Sequence, residues 1–367
     1  MDLNTMLGMP GEALRTTRTE WRQSLTNAVQ AAFAFHYERN DLYRAQCDAV
    51  RVCPHDIIGY NDLHRIPLLP AVVFKQGAGQ QILTAKAADI EIEVRSAGSS
   101  GVPSVSRRDA MTFTRASVGT LGCFRDFFEL SNGTGLFLYS SKSDDAGFRM
   151  PKVFDLLTCT LDDYSYATHN RPFDIGEALT QLRSWEGAKA RHIIGTPLAI
   201  TRLIKVLELE SIRMNLGSRS LIIMFGGRHQ YTRYLGTRDE FDAEAQRILG
   251  VGRCGIRDVY SMTESTMVAI ECEYQRKHVP HWCYASIRDS SNPAVELDPA
   301  RTGMIAILDA LNTAYPGFLL SDDIGEVDES DCPCGRTGQT LTVRRPYRAA
   351  ERGHSNAGTA AIANGWA

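Results

Sequence analysis

Between Ile90 and Leu249 the chain alternates short apolar runs with helical patterns, and several of the runs end in glycine-bearing turns. Ile90 to Val94 is strand-like and leads into RSAGSSGVPS, Arg95 to Ser104, and then a helical pattern from Arg107 to Leu130. Gly135 to Ser141 reads as a strand, Ile175 to Glu186 as a helix, His192 to Pro197 as a strand and loop, and Leu198 to Leu207 as a helix. Ser220 to Arg228 is a buried strand ending in a glycine pair, and Asp239 to Leu249 is the helix after it. This series predicts an α/β core of mostly parallel sheet flanked by helices, with ligands beyond the carboxyl ends of the strands.

The flanks differ. Ala13 to Ala49 lacks Gly and Pro and repeats Leu25, Ala28, Ala32, Phe35 and Leu42 at helical spacing, which predicts one long amphipathic helix or two short ones. IPLLPAVVFK, Ile66 to Lys75, carries two prolines in an apolar run and reads as an extended edge segment. From Met267 on, short strand-like runs separated by turns predict a smaller β-rich subdomain. The expected organisation is therefore an α/β core over 1–266, a β-rich subdomain over 267–345 and a flexible tail over 346–367.

Composition narrows the function classes. The 40 Lys plus Arg against 43 Asp plus Glu leave no electrostatic footprint for nucleic acid or an anionic membrane. No apolar run reaches the roughly 18–20 residues of a membrane span, and the start lacks a secretory core, so a cytoplasmic location is expected. Nine cysteines, an odd number over a long chain, point to free thiols or a metal site rather than a disulfide framework.

Four constellations carry chemistry. Ser96, Gly98, Ser99, Ser100 and Gly101 could turn N–H groups and hydroxyls toward phosphate oxygens, although such a loop is equally a linker. VYSMTES, Val259 to Ser265, sets a Thr hydroxyl beside a carboxylate, suited to a phosphate and its Mg²⁺ or to capping a helix through Thr263. LLSDDIGEVD, Leu319 to Asp328, could bind ribose hydroxyls, with Gly325 turning the chain behind the acids, or form a solvated β-turn. Cys272, His278, Cys332 and Cys334 could complete a tetrahedral zinc site, with His281 and Cys283 as rival ligands, or remain buried thiols.

The first three, with FGGR (Phe225 to Arg228), occur in an order that resembles the adenylate-forming superfamily, in its phenylacetate-CoA ligase and acyl-protein synthetase branch. IPLLPAVVFK, CEYQRKHVPHW and CPCGRTG add to the likeness, which runs from about Trp21 to Arg345. The resemblance implies ATP-dependent adenylation of a carboxylic acid with release of pyrophosphate. It places Ser96, Ser99, Ser100 and Gly101 on the β- and γ-phosphates, and Gly98 in the same loop. Gly226 and Gly227 lie against adenine, and Tyr260 near the base. Thr263 bonds the α-phosphate, Glu264 holds Mg²⁺, Asp323 binds the ribose, and the Cys/His set can hold structural zinc.

Departures from the pattern qualify this. Pro103-Ser104 stands where the family usually has Pro-Lys, leaving Arg107 or Arg108 as substitute cations. The family's mobile C-terminal domain is expected to be absent, and His354 stands where the branch tends to carry an acyl-accepting Cys. A core of this kind is similar to adenylating proteins of phenazine antibiotic biosynthesis. That implies phenazine-1,6-dicarboxylate as the acid, with Phe225, Tyr260 and His192 to Pro197 as pocket features, and a partner reductase or acyl-acceptor protein. The alternatives are a CoA or carrier-protein ligase working with a separate domain, and a non-catalytic nucleotide-binding protein.

Overall fold

The computed structural model describes residues 1–75, 81–96, 102–130, 133–140, 149–168, 174–226 and 236–346. In chain order the helices are α1 (Leu3–Gly8), α2 (Pro10–Ala13), α3 (Arg18–Arg39), α4 (Asp41–Ala49), α5 (Ala110–Phe128), α6 (Arg149–Thr158), α7 (Ile175–Ser184), α8 (Pro197–Leu209) and α9 (Arg238–Leu249). The strands are β1 (Leu69–Pro70), β2 (Ile90–Arg95), β3 (Val105–Asp109), β4 (Thr134–Ser140), β5 (Asp163–Thr168), β6 (Arg191–Gly195) and β7 (Ile222–Phe225). They continue with β8 (Ile256–Ser261), β9 (Val268–Glu271), β10 (Lys277–His278), β11 (Cys283–Arg288), β12 (Gly303–Asp309), β13 (Phe318–Asp328) and β14 (Thr340–Pro346). Mixed α/β architecture is thus observed as expected.

Two compact units divide the chain, one of Met1–Gly122, Ser261–Ala269 and His278–Ala367, the other of Cys123–Tyr260 and Ile270–Lys277. The second unit holds the parallel sheet. β4 pairs with β5 and β6, β6 with β7, and β7 with β8, all parallel, giving the order β5-β4-β6-β7-β8. Its strands are apolar on both faces: all four residues of β7 and all five of β6 are buried. That is the pattern of strands covered on both sides by helices. Leu203, Ile204 and Leu207 of α8 and Phe241, Ala245 and Ile248 of α9 pack with Leu136, Ile193 and Ile222 in one core.

The first unit is built on an antiparallel meander, β11-β12-β13-β14, with β1 joining β13 in parallel through Leu69 opposite Leu319. The extended edge reading of IPLLPAVVFK therefore holds over two residues, after which Ala71–Phe74 tightens into a 3₁₀ turn. Trp21, Leu25, Val29 and Phe33 of α3 bury one helical stripe in this unit's core, together with Tyr43, Tyr315 and Phe318. The expected helix over Ala13 to Ala49 is two. Thr17 and Glu20 form a reciprocal capping box at the start of α3, and Asn40, extended at φ −121°, ends it and caps α4 through the Tyr43 N–H at 2.9 Å.

One local reading is corrected. Arg107 does not open a helix: β2 and β3 form an antiparallel hairpin, with Arg95 opposite Val105, and α5 begins at Ala110. The reason is burial alternation, since Ser106 and Arg108 point inward while Val105 and Arg107 are only half-buried. The helix α6 and strand β5 had no sequence expectation attached to them.

Candidate active site and Cys/His cluster

The chain leaves β8 at Ser261 and turns through Thr263, Glu264, Ser265 and Thr266, all buried at 7% exposure or less, before β9 starts at Val268. Thr263 therefore caps no helix; the segment is a strand–turn–strand. Because a turn lacks ladder partners, side chains must hold its backbone. The Arg108 guanidinium donates to the carbonyls of Ser265 at 3.0 Å and Thr263 at 3.5 Å. The Tyr315 hydroxyl donates to the Glu264 carbonyl at 3.3 Å and accepts from the Ser106 hydroxyl. Asp309, fully buried at the end of β12, accepts from the Ser265 hydroxyl at 2.8 Å and from the Thr266 N–H at 2.7 Å.

Glu264 has its carbonyl fixed in this way, yet no hydrogen bond or ion pair among the described residues engages its carboxylate. Glu264 is 7% exposed, and a carboxylate held there can take a divalent cation. The donor set, one carboxylate beside the Thr263 hydroxyl, fits Mg²⁺, which takes few protein oxygens. Arg108, Asp309 and Tyr315 were not singled out as holding this turn. Asp309 had a visible signal, a lone acid ending the apolar strand GMIAILD.

Asp323 lies inside the eleven-residue strand β13, half-buried, opposite Pro346 of β14. SDDIG is therefore not a β-turn. Gly325 does not reverse the chain either: a Cβ there would sit 2.3 Å from the Thr342 carbonyl oxygen, so glycine is required by the close approach of β14. The Ser321 hydroxyl accepts from the Asp323 N–H at 3.1 Å, and the neighbouring Asp322 pairs with Lys75 at 2.6 Å. Lys75, the last residue of IPLLPAVVFK, is another group the sequence offered without a role.

Ser96 closes the base of its loop, with its hydroxyl accepting from the Ser104 N–H at 2.8 Å and its own N–H donating to the Ser104 carbonyl at 3.0 Å. Gly98, Ser99, Ser100 and Gly101 lie outside the described residues, as do Gly227 and His354. Of the two substitute cations, Arg107 pairs with Glu93 at 2.9 Å and Arg108 is the one that reaches the Thr263 turn.

In the second unit, Gly226 follows β7 with φ +96°, and no described atom lies within 4 Å of where a Cβ would stand. Tyr260, next to last in β8, is 9% exposed. Phe225 is 1% exposed, with Phe154 at 5.1 Å and Phe124 at 6.2 Å, so it is core rather than pocket wall. His192 is buried at the amino end of β6, where Nδ1 accepts from the Leu221 N–H at 3.1 Å. Thr196 caps α8.

Cys272 and His278 lie on the arms of the tight hairpin that links β9 to β10, closed by the Cys272 N–H to the Arg276 carbonyl at 2.9 Å. Cys332 and Cys334 come from the turn between β13 and β14. One ligand atom from each of the four falls within 4.8 Å of all the others, and His278 Nε2 is 3.3 Å from Cys334 Sγ. That spacing suits tetrahedral zinc, whose Zn–S bonds of about 2.3 Å put sulfurs roughly 3.8 Å apart. The rival ligands lie outside this cluster: His281 donates to the Thr337 carbonyl at 2.9 Å, and Cys283 sits in β11.

Comparison with known proteins finds relatives over most of the chain. The model of the family described as acyl-protein synthetase, LuxE, matches residues 12–362. A long-chain-fatty-acid–luciferin-component ligase of Aliivibrio fischeri is 28% identical over 344 residues, covering 91% of this chain and 87% of the relative. The protein of that name from Vibrio harveyi is 26% identical over 337 residues, with 89% and 84% covered. Among solved structures, a 2-hydroxyisobutyryl-CoA ligase in complex with 2-HIB-AMP and CoA superposes with a TM-score of 0.72 at 14% identity, over 92% of this chain and 70% of that one. The last likeness shows the fold, that of an adenylate-forming enzyme's N-terminal core. No helix among the described residues is long and apolar enough to cross a membrane.

Proposed function

We propose that this chain, which belongs to the LuxE acyl-protein synthetase family of ligase-type enzymes, condenses a carboxylic acid with ATP and passes the acyl group to a protein acceptor. In the first step a substrate carboxylate oxygen attacks the α-phosphorus. The bond to the bridging oxygen of pyrophosphate breaks, and acyl-adenylate plus pyrophosphate result. Such a reaction needs positioning and charge stabilisation more than covalent help from the protein.

The observation that carries the proposal is the clamped turn with its unengaged carboxylate. Thr263 is the donor to the α-phosphate. Glu264 would hold Mg²⁺, which when bound offsets the phosphate charge. Asp323 accepts from the ribose hydroxyls, Ser96 and its loop meet the outer phosphates, and Gly226 and Tyr260 serve the base. The Cys272, His278, Cys332 and Cys334 set would hold zinc in a structural role, because four protein ligands leave no open position.

For the acid we carry forward a long-chain fatty acid, the chemistry in the names of the two bacterial relatives. Phenazine-1,6-dicarboxylate has less support, since Phe225 and His192, once its candidate walls, are spent in the core. Acid-dependent exchange of pyrophosphate into ATP, across saturated fatty acids of increasing length and aromatic acids including that one, tests the reading. Exchange with a fatty acid supports it. Exchange only with aromatic acids replaces the substrate class, and no exchange with any acid defeats adenylation.

A further inference from the structure

We propose that Arg108 is a positioning residue for adenylation, acting through the backbone of the Thr263–Ser265 turn; this rests on the function proposed above. Arg108 is an arginine in the interior, 7% exposed, on a strand whose neighbour Arg107 already has its carboxylate in Glu93. No carboxylate among the described residues pairs with Arg108. Its guanidinium instead spends donors on the carbonyls of Ser265 at 3.0 Å and Thr263 at 3.5 Å, and its buried Nε has no hydrogen-bond partner.

A charged side chain is more than a turn needs, since neutral donors can satisfy backbone carbonyls. The Tyr315 hydroxyl, on the Glu264 carbonyl between the two that Arg108 holds, is one such donor. What the arginine adds is a charged nitrogen, Nη2, shared between the two carbonyls flanking Glu264, which fixes the direction in which the Thr263 and Glu264 side chains leave the backbone. It also makes β3 mechanically continuous with that turn. A shift of about 1 Å in groups placed for in-line transfer costs roughly 100-fold in rate. Holding the turn is therefore a kinetic function and not only a packing one.

The test uses the full chain with Arg108→Met and Arg108→Lys. Hydrogen exchange without ligand should rise about 10-fold or more over residues 259–267 in Arg108→Met, less in Arg108→Lys, and stay unchanged in α3 and α8. In fatty-acid-dependent pyrophosphate exchange, kcat should fall roughly 10- to 100-fold with the ATP KM within about 3-fold, and Lys should restore part of it. Unchanged protection over 259–267, or equal loss across the whole chain, overturns the proposal. So does an ATP KM increase at unchanged kcat, which would mark direct phosphate contact. If the Met variant does not fold, Arg108→Lys and Tyr315→Phe carry the same comparison. Wild-type protein that exchanges with no acid removes the adenylation reading, while the hydrogen-exchange arm still decides whether Arg108 holds the turn.

Discussion

The carboxylate of Asp309 accepts from Thr266 twice, from its N–H at 2.7 Å and from its hydroxyl at 2.8 Å. One acid at the end of β12 thereby fixes the far side of the turn that Arg108 grips from β3. Asp309→Ala would leave the Thr266 N–H and the Ser265 hydroxyl buried without acceptors, at about 1–3 kcal/mol for each donor left unmade. Urea unfolding should show a lower midpoint at unchanged slope, with Asp309→Asn losing less.

Glu264→Gln should separate activity from stability. Because no described residue pairs with its carboxylate, the thermal midpoint should stay unchanged. Pyrophosphate exchange should fall roughly 100-fold or more, and a variant with wild-type exchange would dismiss Glu264 as the Mg²⁺ ligand.

Purified protein should carry roughly one zinc per chain by elemental analysis. Cys332→Ser or Cys334→Ser should lose the metal and lower the thermal midpoint. Wild-type protein without metal would leave the four side chains as buried thiols and imidazole.

Lys277 is held by Asp258 at 2.7 Å and Glu271 at 3.4 Å, and Glu271 also takes Arg238 at 3.0 Å. Burial alone would lower the ammonium's pKa, but the two acids outweigh it and keep it above the usual lysine value. Lys277→Met strands Asp258, while Glu271 keeps Arg238, and should cost about 3–5 kcal/mol in denaturant unfolding.

Two of the buried histidines, His36 and His192, help set an acid limit on stability. Burial lowers the pKa of His36 and of His192 to about 4, from 6.5. Between those values the unfolded chain binds more protons than the folded one. Their contribution is therefore complete above pH 6.5 and is lost as pH falls toward 4, by about 3 kcal/mol each. The urea midpoint should drop between pH 7 and 5, and the drop should shrink in His36→Gln.

Much of the α/β core was legible because each strand there is a short apolar run and each helix a 3.6-residue stripe. β6, β7, α8 and α9 fall within a few residues of expectation for that reason. The hairpin of β2 and β3 was misread, since Arg107 and Arg108 look equally helical in sequence and only pairing with β2 decides between them. Gly325 failed in the other direction: a glycine signals freedom to turn, but here it marks the approach of another strand.

For the site, order and chemistry of residues were enough to nominate Thr263, Glu264 and Asp323, because a Thr–Glu pair and a doubled acid are written side by side in the chain. The Cys272, His278, Cys332 and Cys334 set was nominated too, but choosing it over His281 and Cys283 took coordinates that leave the rivals outside the cluster. Sequence alone thus determined which local segments could bind ATP, since that depends on neighbouring residue types. Tertiary structure decided what holds those segments still. Arg108, Asp309 and Tyr315 lie roughly 40 to 160 residues from the turn they hold, and hydrogen bonds across such separations leave no periodic trace in the chain.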